Sequence, residues 1–341
     1  MRIGVLTSGG DCPGLNAVIR SVVHRGVVDH GDEIIGFEDG WRGFLEGHHR
    51  PLTLDSVSGI LAQGGTILGS SRVQPSHLRD GVERAKQYCA DLGLDAVIPI
   101  GGEGTLKAAK LMSDAGLPIV GVPKTIDNDI ACTDVTFGFD TAVSVATEAL
   151  DRLKTTAESH QRVMVVEVMG RHTGWIALNA GMAAGAHAIV VPERPFHIEK
   201  LTAVVRERFD RQKKFAIVVC AEGAKPEPGT MHWEEGSKDI YGHERFTGIA
   251  TQLSSELEHR LGKEARPVIL GHTQRGGTPT AYDRVLATRF GWHAVEAVHK
   301  GAFGHITALQ GTNISLVPLA EAVAELKTVP ADRYLEAETV I

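Results

Sequence analysis

The sequence predicts an α/β protein with two similar domains, each built around a doubly wound, mostly parallel sheet. Short apolar runs alternate with segments of helical periodicity along the 341 residues, which is the pattern of strand–helix units. The chain is too long for one ordinary core and suits two domains. A strand–glycine loop–helix unit recurs before and after about residue 140, so we expect two domains of the same kind.

Helices, loops and a hairpin are predicted between these strands. Residues 15–28 have helical periodicity, and 40–43 is predicted as a loop. The segment 224–246 is rich in Pro, Gly and charge and has no apolar period, so we expect a surface loop. Residues 305–317 predict a hairpin.

The bulk composition indicates a soluble globular protein. Hydrophobic residues make up 43% and charged residues 23% of the chain, and the net charge is −7. A nucleic-acid or acidic-membrane partner would require a basic patch, which this balance does not favour. The N-terminus lacks the features of a signal peptide, and the stretch 175–192 is too polar to span a membrane. We therefore expect a cytoplasmic protein with no nucleic-acid or membrane partner.

The cysteines predict neither a disulfide framework nor a metal site. There are four of them, Cys12, Cys89, Cys132 and Cys220, with no C-x-x-C pair and no metal-site spacing. We expect reduced, buried thiols of a cytosolic protein.

Glycine-rich loops follow two of the predicted strands, and ligands bind beyond the carboxyl ends of strands in such sheets. The turn 8–14 directs backbone N–H groups towards an anion at a helix N-terminus, although it also suits a purely structural turn. In 101–105, three glycines allow close approach of the backbone, Glu103 suits Mg²⁺, and Thr105 suits a helix cap. A helix-capping turn with an exposed glutamate is the alternative.

The segment 125–129 follows the next strand and carries two carboxylates. Asp127 and Asp129 project the same way if the segment is extended. One can accept a proton from a hydroxyl nucleophile while the other orients it or lies near a metal ion. An Asx-rich turn and a site that only binds metal are the alternatives.

Several cations are placed to bind phosphate. Arg72 and Arg171 each follow a glycine loop, where positive charge can stabilise a transferring phosphoryl group. A second cationic set suits a phosphate monoester, since guanidinium groups bind it bidentately. Its members are Arg162, Arg266, His272 and Arg275. Alone, each of these residues is more often a solvated charge. Glu222, at a strand end, suits hydrogen bonds from sugar hydroxyls.

Eight ordered motifs resemble those of the 6-phosphofructokinase family. They are SGGDCPGLN, LGSSR, GGEGT, PKTIDND, SHQR, VEVMGR, AEG and LGHTQRGG. The set covers nearly the whole chain and is far more specific than any one motif. The resemblance implies two doubly wound domains with the active site in the cleft, assembled as a homotetramer.

The resemblance also implies a role for each matching residue. Asp127 is the base for the sugar 1-hydroxyl, with Thr125 and Asp129 beside it, and Arg72 and Arg171 stabilise the transferring phosphoryl group. Nucleotide contacts are implied at Gly10, Arg72, Val73, Gly102, Glu103, Gly104 and Thr105, with Glu103 as the metal ligand. Sugar-phosphate contacts are implied at Thr125, Ile126, Asp127, Arg162, Met169, Gly170, Arg171, Glu222, Arg266, His272, Thr273, Gln274 and Arg275. In the family, Arg162 and Arg266 reach in from a neighbouring subunit, so a homotetramer, or a homodimer, would complete the site.

Two positions indicate different phosphoryl donors. Lys124 resembles the pyrophosphate-dependent relatives, whereas Gly104 resembles the ATP users. An Asp at position 104 would crowd and repel the α-phosphate of ATP, so Gly104 is the stronger physical discriminator. Position 103 is Glu where the familiar bacterial ATP enzymes have Asp.

The expected activity is therefore transfer of the γ-phosphoryl group of Mg-ATP to the 1-hydroxyl of fructose 6-phosphate, in glycolysis. Residues 1–138 plus about 275–324 are predicted to bind the nucleotide. Residues 139–274 plus about 325–341 are predicted to bind the sugar phosphate. The alternatives are the same transfer from pyrophosphate, a relative of the NAD or lipid kinases, and a non-catalytic sugar-phosphate sensor.

Overall fold

Two compact units make up the chain. The computed structural model describes residues 1–77, 80–234, 236 and 248–340. Unit 1 comprises Met1–Thr141 and Arg275–Lys327, and unit 2 comprises Ala142–Gln274 and Thr328–Ile341. Which unit binds the nucleotide and which binds the sugar phosphate stays a prediction.

Strands and helices alternate along the described residues. The strands are β1 (Arg2–Ser8), β2 (Glu33–Phe37), β3 (His49–Leu52), β4 (Ala96–Gly101), β5 (Val120–Pro123), β6 (Val163–Val168), β7 (Ala188–Val190), β8 (Ala216–Ala221), β9 (Ala265–Ile269), β10 (His305–Gln310) and β11 (Asn313–Pro318). The α-helices are α1 (Leu15–His24), α2 (Trp41–Glu46), α3 (Gly81–Asp91), α4 (Glu103–Asp114), α5 (Phe139–His160), α6 (Trp175–Ala183), α7 (Ile198–Asp210), α8 (Ile249–Leu261), α9 (Ala281–His299), α10 (Leu319–Ala322) and α11 (Ala331–Val340).

Unit 1 contains a seven-stranded sheet in the order β11-β10-β5-β4-β1-β2-β3. The five inner strands are parallel, and β11 and β3 pair antiparallel at the two edges. Strands β10 and β11 form the predicted hairpin, so that prediction is confirmed. Buried side chains such as Leu6, Phe37 and Ile306 form its core. Long apolar strands of this kind are typical of a parallel sheet covered on both faces.

Unit 2 contains a four-stranded sheet in the order β7-β8-β6-β9, with every pair parallel. All six residues of β6 and of β8 are buried. Val165 and Val218 pack with Ile249 and Leu253 of α8 in one core cluster. The predicted fold class, α/β with two mostly parallel sheets, is confirmed. None of the helices among residues 1–77, 80–234 and 248–340 is both long and apolar enough to cross a bilayer.

The sequence prediction is wrong at one edge of the first sheet. Residues 40–43 do not form a loop, because α2 begins at Trp41 and buries the rings of Trp41 and Phe44. The Phe44 ring lies 4.8 Å from the Phe37 ring, edge to face. Strand β3 was not predicted. Only Leu52 of its four residues is buried, so it carries no alternating pattern, and an edge strand tolerates Pro51.

Two other predictions need correction. Helix α1 ends at His24, and Arg25–His30 continues it as one π-helical segment. Of the predicted surface loop 224–246, residues 235 and 237–246 lie outside the described residues. Its described part is not all on the surface, since Met231 and Trp233 pack against the core of unit 2.

The prediction of four buried thiols is wrong for Cys132. Cys12, Cys89 and Cys220 are buried and free, whereas Cys132 is free and exposed. Its backbone has φ 65°, within the loop that follows β5. This loop turns outwards at Cys132, which sequence periodicity does not indicate.

A buried carboxylate joins the starts of α5 and α9 in unit 1. Asp283 accepts hydrogen bonds from the backbone N and the hydroxyl of Thr141, at 2.8 and 2.6 Å. Its own backbone N donates to the hydroxyl of Thr280, the N-cap of α9, at 3.2 Å. Burial raises the pKa of the Asp283 carboxyl from 3.8 to about 6, although the bonds from Thr141 oppose this shift.

This pKa predicts a pH-dependent stability. The folded protein binds the proton of Asp283 more strongly than the unfolded chain does, so the contribution of Asp283 to the unfolding free energy should fall as pH rises from about 4 to about 6. In Asp283→Asn, up to about 3 kcal/mol of that decline should disappear. Urea denaturation across this range measures it, with exposed Asp55→Asn as the control. An equal pH slope in Asp283→Asn and wild type would contradict the prediction.

Candidate active site

The carboxyl ends of three neighbouring strands lie side by side in the unit 1 sheet. Ser8 of β1 pairs with Gly101 of β4, and Gly101 pairs with Pro123 of β5. The loops that follow these strands are therefore adjacent. They are the three polar loops that the sequence predicted as a phosphate-handling site.

The loop after β1 is shaped by glycine. Gly9 and Gly14 have φ 82° and 112°, in the left-handed region that other residues avoid. A Cβ on Gly14 would lie 2.6 Å from the Phe137 ring. The backbone N of Gly9 donates to the carbonyl oxygen of Ser71 at 3.0 Å, which brings the segment containing Arg72 and Val73 beside this loop.

The loop after β4 opens helix α4. Gly102 is its N-cap, and Glu103 lies in the first turn, where the helix dipole favours negative charge. No side chain caps the helix, so the prediction that Thr105 is the cap is wrong. Thr105 is buried instead, and its hydroxyl lies 3.5 Å from where a Cβ on Gly9 would be. The three glycines add no side chain at this helix start, where backbone N–H groups can bind an anion.

Gly104 lies against a residue that the sequence did not single out. A Cβ on Gly104 would lie 2.6 Å from Nε2 of Gln74. The segment that contains Arg72 and Val73 therefore reaches the first turn of α4. These predicted nucleotide-binding residues come together within unit 1.

Lys124 links the ends of all three strands. Its backbone N donates to the carbonyl oxygen of Gly101 at 2.9 Å, and its ammonium donates to the carbonyl oxygen of Gly10. The side chain is buried, and this burial lowers the pKa of the ammonium. The Lys124 cation is thus directed at the loop after β1. Arg275 lies at the same loop, where its guanidinium donates to the carbonyl oxygen of Asp11 at 3.2 Å.

The loop after β5 carries Thr125, Asp127 and Asp129, and all three are buried. The backbone N of Asp127 donates to the hydroxyl of Thr125 at 3.0 Å. Asn128 between the two aspartates has φ 52°, so the segment is not extended. The condition under which both carboxylates would project the same way, an extended backbone, is therefore not met.

Hydrogen bonds from distant residues hold this loop. Oδ1 of Asn128 accepts from the backbone N of Thr136 at 3.0 Å and from Nζ of Lys327 at 3.0 Å. The hydroxyl of Thr136 donates to the carbonyl oxygen of Thr125 at 2.8 Å. The sequence reasoning missed Gln74, Thr136 and Lys327. Gln74 and Thr136 lie near recognised motifs, whereas no local pattern indicates a lysine 199 residues from its partner.

In unit 2, polar residues also follow the carboxyl ends of neighbouring strands. After β6 the backbone turns sharply at Gly170 and Arg171, with φ 147° and 51°. The carboxylate of Glu222, which follows β8, accepts from their backbone N atoms at 3.3 and 2.9 Å. The side-chain oxygen of Gln274 accepts from the backbone N of Met169 at 3.4 Å. These predicted sugar-binding residues come together, next to exposed His272 and Thr273.

Arg162 and Arg266 lie at the amino ends of the unit 2 strands, away from the residues just described. Arg162 precedes β6, whose Val163 pairs with Ala265 of β9, and both arginines form ion pairs with Glu264. His272 lies beyond the opposite end of β9. Unit 2 alone therefore does not assemble the predicted cationic cluster, because Arg162 and Arg266 lie at the amino ends of strands and His272 at a carboxyl end.

Glu103 suits a magnesium ion that arrives with a nucleotide. Its carboxylate pairs with Nζ of Lys107 one helical turn further on. Among residues 1–77, 80–234, 236 and 248–340, no three His, Cys, Asp or Glu side chains cluster as a metal site. Mg²⁺ in nucleotide sites commonly takes one or two carboxylates and completes its shell with phosphates and water. One carboxylate at a helix start fits that donor set.

Comparisons with known proteins show which family the sequence resembles. The family model described as Phosphofructokinase matches residues 2–298. The chain is 79% identical over 341 residues to an ATP-dependent 6-phosphofructokinase 3 of Streptomyces coelicolor, covering 100% of both proteins. It is 63% identical over 339 residues to a pyrophosphate–fructose 6-phosphate 1-phosphotransferase of Amycolatopsis methanolica, covering 99% of both.

A solved structure has the same fold. The crystal structure of Pichia pastoris phosphofructokinase in the T-state matches 95% of this chain, with a TM-score of 0.84 and 33% identity. The match spans only 35% of the Pichia pastoris chain. The sequence match and the motif-bearing loops at the strand ends lead to one conclusion: the chain belongs to the phosphofructokinase family.

Proposed function

We propose that this protein transfers the γ-phosphoryl group of Mg-ATP to the 1-hydroxyl of fructose 6-phosphate, giving fructose 1,6-bisphosphate and ADP. The observation that carries the proposal is a buried, hydrogen-bonded Asp127 at the end of β5, beside the glycine-rich start of α4. The 79% identity with an ATP-dependent 6-phosphofructokinase supports it. The reaction is a step of glycolysis, and we place it in the cytoplasm.

Asp127 acts as the general base in this proposal. Its carboxylate accepts the proton of the sugar 1-hydroxyl as that oxygen bonds to the γ-phosphorus, and the bond from phosphorus to the bridging oxygen of ATP breaks. A positioned base of this kind contributes about 10²–10⁴-fold to the rate. Thr125 and Asp129 lie beside it in the same buried loop. Thr125 holds the backbone of Asp127 through its hydroxyl, so it positions the base.

The nucleotide is proposed to bind at the start of α4. Backbone N–H groups at a helix N-terminus bind phosphate, and the helix N-cap Gly102 and the exposed Arg72 lie at this edge of unit 1. The full proposed set is Gly10, Arg72, Val73, Gly102, Glu103, Gly104 and Thr105. Glu103 would hold Mg²⁺, which neutralises charge on the phosphates when bound. Arg72 supplies further positive charge to the transferring group.

The sugar phosphate is proposed to bind mainly residues of unit 2, together with Ile126 and Arg275 of unit 1. Glu222 holds the backbone of Gly170 and Arg171, which fixes the turn that presents the Arg171 side chain. We assign Arg171 to the transferring phosphoryl group and to the sugar. The other proposed sugar-phosphate contacts are Ile126, Arg162, Met169, Gly170, Glu222, Arg266, His272, Thr273, Gln274 and Arg275.

The position of Arg162 and Arg266 supports an oligomeric enzyme. Both lie at the amino ends of unit 2 strands, whereas the other predicted sugar-binding residues of that unit follow carboxyl ends. We propose that these two arginines serve the active site of a neighbouring subunit in a homotetramer, or a homodimer. Glu264 pairs with both in one protomer and keeps them together for a shared phosphate.

Pyrophosphate is the second candidate donor. Its support is the 63% identity with a pyrophosphate–fructose 6-phosphate 1-phosphotransferase, together with the buried Lys124 directed at Gly10. Gly104 favours ATP, because a side chain there would occupy space at the helix start beside Gln74. An added carboxylate would also place negative charge where the nucleotide phosphates bind. We therefore favour ATP.

Replacement of Asp127 tests the proposed base. Asp127→Ser should lower kcat for phosphorylation of fructose 6-phosphate by about 10²–10⁴-fold, because the 1-hydroxyl loses its proton acceptor. Binding of fructose 6-phosphate, measured by calorimetry, should change little. Asp114→Ser, an exposed carboxylate at the end of α4, is the matched control and should retain activity. An unchanged kcat in Asp127→Ser would remove Asp127 from the mechanism.

Replacement of Gly104 tests the donor. Gly104→Asp should lower kcat/KM for ATP by about 10²-fold or more, since like charges held close together cost several kcal/mol. Gly104→Asn has nearly the same size without the charge, so it should lose clearly less. Steady-state kinetics with ATP and with pyrophosphate compare the three proteins. Equal kcat/KM for ATP in wild type and Gly104→Asp would show that this position does not select the donor.

A further inference from the structure

Lys327 makes an unusually complete set of contacts with the loop after β5. Its Nζ donates to Oδ1 of Asn128 at 3.0 Å and to the carbonyl oxygens of Thr133 and Asp134 at 2.8 and 2.9 Å. An ammonium has three protons, so these three bonds use all of them. The backbone N of Lys327 also donates to the carbonyl oxygen of Asp129 at 2.9 Å.

Withdrawing the Lys327 ammonium from water costs free energy, which its hydrogen bonds must offset. Burial lowers the pKa of the Lys327 ammonium to about 8, while Asp134 and Asp129 act in the opposite direction. Lys327 is half-buried, and withdrawing a charge from water is costly unless it is hydrogen-bonded. The three acceptors supply those bonds, so the ammonium restrains the positions of all three.

The contacts of Lys327 lead to Asp127 through a chain of hydrogen bonds. Asn128 has φ 52°, a backbone conformation that residues other than glycine keep only where the surrounding structure fixes it. Oδ1 of Asn128 accepts a hydrogen bond from the backbone N of Thr136, and the hydroxyl of Thr136 donates to the carbonyl oxygen of Thr125. The hydroxyl of Thr125 then accepts from the backbone N of Asp127.

The adjoining backbone reinforces this link. Leu326 forms a single antiparallel bridge with Ile130, so the segment that carries Lys327 is paired with the loop at this residue. Both the side chain and the backbone of this C-terminal segment therefore restrain the residues on either side of Asn128.

We propose that Lys327 is a positioning residue, whose ammonium fixes the loop that carries Asp127 and thereby sets the rate of phosphoryl transfer. The kinetic part of this proposal rests on the proposed function. The structural part, that Lys327 orders the loop, stands without it. Misplacement of a reacting group by about 1 Å costs about 10²-fold in rate, which sets the expected scale.

Kinetics of Lys327→Met test the proposal. This variant removes all three donors with little change in length, and kcat should fall about 10²-fold while KM for each substrate changes less than about threefold. Lys327→Gln, which keeps a shorter donor, should fall less and provides a folded alternative if Lys327→Met does not accumulate. Lys300→Met, an exposed lysine after α9, is the control and should match wild type. Wild-type kcat in Lys327→Met would overturn the proposal.

A double variant separates positioning from a general loss of structure. In an Asp127→Ser background, Lys327→Met should lower the remaining kcat by less than about threefold, because residues that act as a unit are not additive. A further loss of about 10²-fold in that background would show that Lys327 does not act through Asp127, and would overturn the proposal.

Hydrogen exchange tests the structural part without turnover. In Lys327→Met, amides in 124–137 should exchange at least about tenfold faster than in wild type, since local opening then costs less free energy. Amides of β2, three strands away from β5 in the sheet, should be unchanged. Unchanged exchange in 124–137 would overturn the positioning role. If wild type transfers no phosphoryl group to fructose 6-phosphate, the proposed function fails, yet this exchange result still decides whether Lys327 orders the loop.

Discussion

The parallel pairing of β1, β4 and β5 is the constraint on which the unit 1 site depends. Its register places the last residues of the three strands side by side, through the pairs Ser8–Gly101 and Gly101–Pro123. Three loops that are about 90 and 20 residues apart in the chain are thereby brought to one edge. Lys124 then connects the ends of all three strands, by its backbone to Gly101 and by its ammonium to Gly10. A one-residue slip in any pair would move the side chains of that strand to the opposite face.

The loops after β4 and β5 differ in burial and in side-chain hydrogen bonding, and this difference suits their proposed roles in binding phosphate and in accepting a proton. The loop at the start of α4 presents backbone N–H groups and little side chain, which suits a phosphate ligand. The loop after β5 is buried and cross-linked by Asn128, Thr136 and Lys327. A general base needs a fixed position relative to the proton that it accepts. Unit 2 shows a similar division, with Glu222 holding the turn that carries Arg171.

The sequence was sufficient for the fold class and for the site loops, because both depend on local patterns. Apolar runs that end in glycine or Asp-rich turns identify strand ends, and eight ordered motifs identify the family. Features that depend on tertiary contacts could not be predicted. The left-handed backbone of Asn128 excludes an extended segment at the two aspartates, and their spacing alone does not indicate this. Helix α2 starts at Trp41 because aromatic packing outweighs the local preference of its glycines for a loop. Lys327 stands beside no recognised motif.

The central claim is that this site transfers phosphate from ATP to fructose 6-phosphate. The most direct measurement incubates the wild-type protein with fructose 6-phosphate, Mg²⁺ and either ATP or pyrophosphate, and identifies the products by ³¹P NMR. We expect fructose 1,6-bisphosphate and one equivalent of ADP with ATP, and little product with pyrophosphate. Product with pyrophosphate alone would contradict the assignment of the donor. Binding of fructose 6-phosphate without product from either donor would contradict the assignment as an enzyme and would favour a sugar-phosphate sensor.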